Sequence, residues 1–227
     1  MKMRIALLFV LLAGASAAQP AADDWAQLAR YRDEDARQIA SGQKPDIVLL
    51  GDSITEGWVS KRPAVFTAQR IGRGISGQTT PQMLVRFRQD VIALHPKAVQ
   101  IMAGTNDIAG NTGPMTPDMT EANIISMTEL AQANGIKVIL ASIPPSAGFP
   151  WRPGLAVTDK IAALNDWLRA YAAAHQAVYA DYWSAMQDGQ GGMKPGLAYD
   201  GVHPTEQGYD VMLPVLDAAL KRALAGR

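Results

Sequence analysis

Ile47-Val48-Leu49-Leu50-Gly51-Asp52-Ser53-Ile54 decides how this chain folds. Four consecutive apolar residues, entered after Pro45 and left through Gly-Asp-Ser, read as a short strand over 46–50 that is buried on both faces. A strand of that kind belongs to a parallel sheet covered by helices. The serine just past its end, flanked by small and turn-forming residues, is placed where a side chain can stand clear of its own backbone.

Working outward, the same alternation recurs. Residues 98–102, 137–141 and 178–180 are further short apolar strands. Between them lie helical patterns. Asp23 to Ala40 carries Trp25, Leu28, Arg32 and Ala36 at near-helical spacing. Thr80 as N-cap, with Pro81 at the first helical position, starts a helix whose Met83, Leu84, Phe87, Val91 and Ile92 share a face. Residues 119–134, 157–175 and 206–225 complete the set. The stretch from Gly51 to Gly77 reads as irregular and glycine-rich, and 103–118, 142–154 and 188–204 read as loops. Strands alternating with helices predict an α/β fold with a parallel sheet and helices on both faces. The loops after the strand ends, with Ser53, Gly104-Thr105-Asn106-Asp107 and Ser142, are expected to meet on one edge of the sheet.

The 227 residues, 48% of them hydrophobic, suffice for one domain with a full core. Residues 1–17 stand apart from it. Met1-Lys2-Met3-Arg4 is basic, Ile5 to Ala13 is apolar but too short to span a bilayer, and Ala15-Ser16-Ala17 is a small-x-small cleavage site. This is the pattern of a secretory signal peptide, which leaves 18–227 as the mature domain, periplasmic or extracellular. An uncleaved anchor is the competing reading. Removing Lys2 and Arg4 takes the basic count from 21 to 19 against 21 acidic residues, a net of −2. A near-neutral chain has no electrostatic footprint for nucleic acid. No later segment is apolar enough for a transmembrane helix. With no cysteine there is no disulfide, no thiolate nucleophile and no lipoprotein anchor on an N-terminal Cys. Three scattered histidines make no metal site, and no cofactor is expected.

Four short blocks carry chemistry: Gly51-Asp52-Ser53, Arg73-Gly74-Ile75-Ser76-Gly77, Gly104-Thr105-Asn106-Asp107 and Asp200-Gly201-Val202-His203. Serine needs a base within hydrogen-bond reach to become a nucleophile. Attack on an ester carbonyl develops negative charge on its oxygen, which preorganised N–H donors stabilise. A glycine lets the backbone approach and present its N–H. An Asp three residues before a His lets one loop deliver the base and the carboxylate that orients it. Taken singly, each block has a plain structural explanation as a turn, a cap or a polar loop. The four in order within one domain form a catalytic set.

These blocks resemble the SGNH (GDSL) hydrolases, and the run from Arg73 to Gly77 with Gly104 to Asp107 is most similar to the branch of platelet-activating-factor acetylhydrolase subunits and bacterial acylhydrolases. The resemblance extends from Ile47 to Tyr209. It implies Ser53 as nucleophile, His203 as base with Asp200 as its orienting acid, and the Ser53 and Gly74 N–H groups with the Asn106 amide as the oxyanion hole. It also implies a three-layer α/β/α sandwich around about five parallel strands. That branch often has Asn before Arg73, where this chain has Gly72. The motif differs from the G-x-S-x-G elbow, because Thr55 stands two after Ser53.

The expected activity is that of an exported serine esterase removing short acyl groups, acetyl foremost, from a carbohydrate or similar polar alcohol. Moderate loops without an apolar lid motivate the short acyl group. A lysophospholipase or thioesterase acting on longer chains is the alternative. A carbohydrate-binding protein that has lost its chemistry is a third reading. Asp52 and Asp107 are expected to brace loops by hydrogen bonds. Trp58, Phe149 and Trp151 are candidates for a pocket wall or for core packing, and Arg73 for an anionic substrate or a solvated surface.

Overall fold

Five parallel strands form one sheet: β1 (Ile47–Gly51), β2 (Arg70–Gly74), β3 (Ala98–Met102), β4 (Lys137–Ala141) and β5 (Val178–Ala180), in the order β2-β1-β3-β4-β5. The computed structural model describes residues 24–225, so the expected signal peptide at 1–17 lies outside the described residues. Ile47 pairs with Arg70 on one side and Ala98 on the other, and that register carries through to Gly51 beside Gly74 and Met102. The strand order reverses at β1, so its carboxyl end and that of β3 open on a crevice. Ser53 follows β1 and Asn106 follows β3.

The central strands alternate between two cores. Val48, Leu50, Val99, Ile101, Val138 and Leu140 point into one. There they meet α3 (Thr80–Asp90), α5 (Pro117–Ala133) and α6 (Thr158–Ala174) through Met83, Phe87, Ile124, Met127 and Ile161. Ile47, Leu49, Ala98, Met102, Ile139 and Ala141 point into the other. There they meet α2 (Ser53–Lys61), α7 (Tyr182–Met186) and α8 (Glu206–Ala225) through Trp58, Tyr182, Tyr209 and Met212. The result is a three-layer α/β/α sandwich. Trp58 is fully buried, stacked on Tyr209 at 5.4 Å and edge-on to Tyr182 at 6.2 Å. It is core, not pocket wall. Such aromatic pairs add about 0.5–1.5 kcal/mol each beyond the area they bury.

Four local expectations are corrected. The opening helix is only α1 (Arg32–Ala40), because the Asp24 carboxylate takes the N–H groups of Leu28 and Ala29 in a turn and Gln27 has φ +53°. The stretch from Gly51 to Gly77 is ordered, holding α2, a 3₁₀ turn at Pro63–Val65 and β2. The loop from 103 to 118 contains a short helix, α4 (Thr105–Ala109). The N-cap of the helix after Gly77 is Thr79 and not the expected Thr80, which is already the first helical residue. The Gln82 side chain accepts the Thr79 N–H at 3.1 Å, as in a capping box.

Candidate active site

Ser53 is the first residue of α2, one step past Asp52, which caps that helix by accepting the Ile54 N–H at 3.0 Å. The strand thus passes directly into a helix, and the serine is held at the junction by the cap. The Ser53 N–H belongs to the first turn, where backbone donors have no intrahelical acceptor.

Gly51 and Gly74 are required by contact. A Cβ on Gly51 would lie 2.2 Å from Thr55 Oγ1 and 2.9 Å from the Met102 carbonyl. A Cβ on Gly74 would lie 2.2 Å from the Glu56 nitrogen and 2.7 Å from the Asp52 carbonyl. The end of β2 is therefore pressed against the backbone that carries Ser53. The Tyr31 hydroxyl donates to the Gly74 carbonyl from the far side.

His203 arrives from a loop 150 residues away in sequence, with Nε2 2.8 Å from Ser53 Oγ. Its Nδ1 lies 2.7 Å from Asp200 Oδ2. The other oxygen of Asp200 accepts the N–H groups of Val202 (3.0 Å) and His203 (2.7 Å), while Gly201 takes φ +84° to close the turn. One carboxylate thus fixes both its loop and the imidazole. With a proton on Nδ1 facing the carboxylate, Nε2 is the acceptor that faces Ser53. Burial raises the Asp200 carboxyl, but the His203 N–H, the imidazole and the Val202 N–H outweigh it and hold it below the usual carboxylate range.

Asn106 sits in α4 and is buried. Its Nδ2 donates to the Gln78 carbonyl at 3.0 Å and lies 3.4 Å from Asp52 Oδ2. Its Oδ1 accepts from Asn111 Nδ2 at 2.7 Å, which fixes the amide with its NH2 toward the Ser53 loop. Asp107 accepts the Thr80 N–H and the hydroxyls of Thr80 and Thr120. Asp52 and Asp107 are therefore loop braces, as expected. Arg73 meets neither expectation: it is buried, with Asp35 at 2.6 Å and its guanidinium over the Tyr31 ring.

Burial pushes the Asp52 carboxyl up to about 6, against the pull of the Ile54 N–H. The folded chain then holds this proton more tightly than the unfolded chain, so the Asp52 contribution to stability is lost as pH rises from about 4 to about 6. Asp52→Asn removes that dependence. Urea unfolding of the variant and the parent at pH 4 and pH 7 should show their difference moving by about 2 kcal/mol in favour of the variant. A constant difference would mean that folding does not raise the Asp52 carboxyl above its unfolded value.

A cleft of about 690 Å³ opens beside Ser53 and His203, and Arg30, Glu34, Glu56, Lys61, Ser76 and Tyr199 line it. The Tyr199 ring stacks on His203 at 5.6 Å and carries the Lys61 ammonium 5.2 Å from its centre. Trp151, itself stacked on Phe149, lies 5.9 Å from the imidazole.

The sequence pattern of the GDSL-like lipase/acylhydrolase family matches residues 49–211, nearly all of the span just described. The chain belongs to that family. As one of the GDSL-like acylhydrolases, it is an ester hydrolase on an SGNH-type fold. A GDSL-like lipase from Bacteroides thetaiotaomicron superimposes with a TM-score of 0.83 at 45% identity, over 88% of this chain and 100% of that one. Esterase TesA of Pseudomonas aeruginosa is 29% identical over 177 residues, 70% of this chain and 79% of TesA. The uncharacterized lipoprotein YqeF of Bacillus subtilis is 33% identical over 121 residues, 44% of this chain and about half (49%) of YqeF. Among the described residues of this GDSL-like chain, no helix is long and apolar enough to cross a membrane.

Sequence reasoning missed four residues that hold the site. Tyr31 binds the Gly74 carbonyl, and Gln78 binds Asn106. Tyr209 donates to the Ile54 carbonyl at 2.7 Å and so ties α8 to the first turn of α2. Arg86 donates to the Gly51 carbonyl at 3.0 Å. Each acts through a contact distant in sequence, and only the proximity of Tyr209 to His203 offered a signal.

Proposed function

We propose that this chain is an exported serine esterase that removes short acyl groups, acetyl foremost, from carbohydrates or similar polar alcohols. Ser53 is the nucleophile, His203 the general base and Asp200 the acid that orients it. The observation that carries this reading is the unbroken relay from Ser53 Oγ through His203 to Asp200, at 2.8 and 2.7 Å, beside an open cleft. Export is supported by the basic, apolar and small-residue pattern of residues 1–17.

Ser53 Oγ attacks the ester carbonyl while His203 Nε2 takes its proton. The carbonyl electrons move to the oxygen, which the N–H groups of Ser53 and Gly74 and the Asn106 amide stabilise. The positive end of α2 adds to that field. The intermediate collapses, His203 returns the proton to the leaving alkoxide, and the alcohol departs. Water then attacks the acyl-Ser53 ester with the same histidine as base, releasing the acid and restoring the hydroxyl. Asp200 remains ionised throughout and offsets the imidazolium charge.

Acyl length follows from what lines the cleft. A buried methylene gains about 0.8 kcal/mol only against apolar surroundings. Beside Ser53 stand Arg30, Glu34, Glu56, Lys61 and Ser76, which favour hydroxyl-bearing groups, together with Tyr31, Val59 and Tyr199, which offer apolar surface to a short acyl group. The apolar pocket of about 320 Å³ near Ile108, Met115 and Leu164 does not include Ser53, which counts against the long-chain alternative. A series of p-nitrophenyl esters from acetyl to dodecanoyl tests this. The expected kcat/KM is highest for acetyl and falls steadily; a maximum at eight carbons or longer contradicts it.

A further inference from the structure

Arg86 has zero exposure, and each arm of its guanidinium is committed. Nη1 donates to Asp90 Oδ2 at 2.9 Å, Nε to Gln78 Oε1 at 2.6 Å, and Nη2 to the Gly51 carbonyl at 3.0 Å. Burying a cation is costly, and a buried ion pair replaced by hydrophobic residues of similar volume often leaves stability unchanged or improved. This pair is also imperfectly satisfied, since Asp90 Oδ1 is buried without a partner among the described residues. Fold stability alone therefore does not explain an arginine here.

The destinations of the three bonds do. The Gly51 carbonyl lies two residues before Ser53 and also accepts the Ile75 N–H at 3.1 Å, next to Gly74. Gln78, gripped through its side chain, presents its own carbonyl to Asn106 Nδ2 at 3.0 Å. Its amide NH2 is anchored on the Ala26 carbonyl. One rigid, planar group thus ties the segment before Ser53, the segment after Gly74 and the acceptor that orients Asn106. These are the three sources of the oxyanion donors.

We propose that Arg86 is a positioning residue that sets the mutual spacing of the Ser53, Gly74 and Asn106 donors, with Asp90 holding its charge and Gln78 passing its geometry to Asn106. This rests on the esterase reading above. Arg86 touches no substrate and acts only through the groups it holds. Its planar fork makes divergent contacts that a lysine ammonium on a shorter reach does not reproduce.

The test is a double-mutant cycle on p-nitrophenyl acetate hydrolysis with Arg86→Lys and Asn106→Ala. Arg86→Lys keeps a cation beside Asp90. A second variant, Arg86→Met with Asp90→Leu, removes both charges so that none is left buried and unpaired. Both are expected to lower kcat about 10- to 100-fold, with KM within about threefold and the shape of the pH profile unchanged, because the His203–Asp200 relay is not touched. In the Asn106→Ala background, Arg86→Lys is expected to cost several-fold less than in the parent, because the share of its effect that passes through Asn106 is already gone. Multiplicative losses, a loss confined to KM, or full kcat in the folded variants would overturn the proposal. Wild-type activity that persists in Ser53→Ala would instead sink the esterase assignment on which it rests.

Discussion

Ser53→Ala is expected to lower kcat for p-nitrophenyl acetate by about 10⁴-fold or more, while leaving the fold intact. The side chain is partly buried at a strand–helix junction, and its hydroxyl makes its one described side-chain contact with His203. Removing it costs no core packing, and the helix cap on Asp52 remains. The loss should therefore fall on chemistry and not on stability, with the thermal midpoint within a few degrees of the parent. What remains is the catalysis that an oxyanion hole and binding provide without a nucleophile. A variant that keeps more than a hundredth of the parent rate would contradict the role of Ser53.

Gly74→Ala is expected to lower kcat by about 10²–10³-fold and to destabilise the fold as well. The two losses have one cause. The added methyl would stand 2.2 Å from the Glu56 nitrogen and 2.7 Å from both the Asp52 carbonyl and the Thr55 carbonyl carbon. All three are backbone atoms, so no side chain can swing away to make room. Either β2 or the first turn of α2 must move, and that displaces the Gly74 N–H from the Ser53 N–H. Overpacking of this kind typically costs about 1–3 kcal/mol. Urea unfolding and steady-state kinetics on the same preparation check it. Parent-like kcat would show that the Gly74 N–H is not an oxyanion donor.

How much of this could be read from the chain depended on whether a residue's neighbours were local. β1, β3 and β4 are buried on both faces and so are written as apolar runs. β2 is an edge strand, Arg70-Ile71-Gly72-Arg73-Gly74, with a single apolar side chain. Its place is set by pairing with β1 and by pressure against α2, which no periodicity records. α2 was hidden because Gly57 interrupts its pattern and Trp58 is its main core contact. Asp24 shortened the first helix by a side-chain contact that outcompetes helical spacing.

The blocks of the candidate site stood out in the sequence because chemistry constrains each of them. A nucleophile, donors and an Asp–x–x–His pair have few substitutes, and their order could be read directly. The supporting contacts were not legible. Arg86 and Arg73 are charged residues, normally expected in solvent, yet both are buried, and only the fold reveals their acceptors. Tyr31 likewise gains meaning from a carbonyl 43 residues away, and Gln78 from the Asn106 amide 28 residues away.

Covalent labelling with a fluorophosphonate probe, read by mass spectrometry of the digested protein, tests the nucleophilic role of Ser53 most directly. One adduct is expected, on the peptide carrying Ser53, absent from Ser53→Ala and much slower to form in His203→Ala. Labelling at another residue, or no labelling of a protein that turns over p-nitrophenyl acetate, would contradict it.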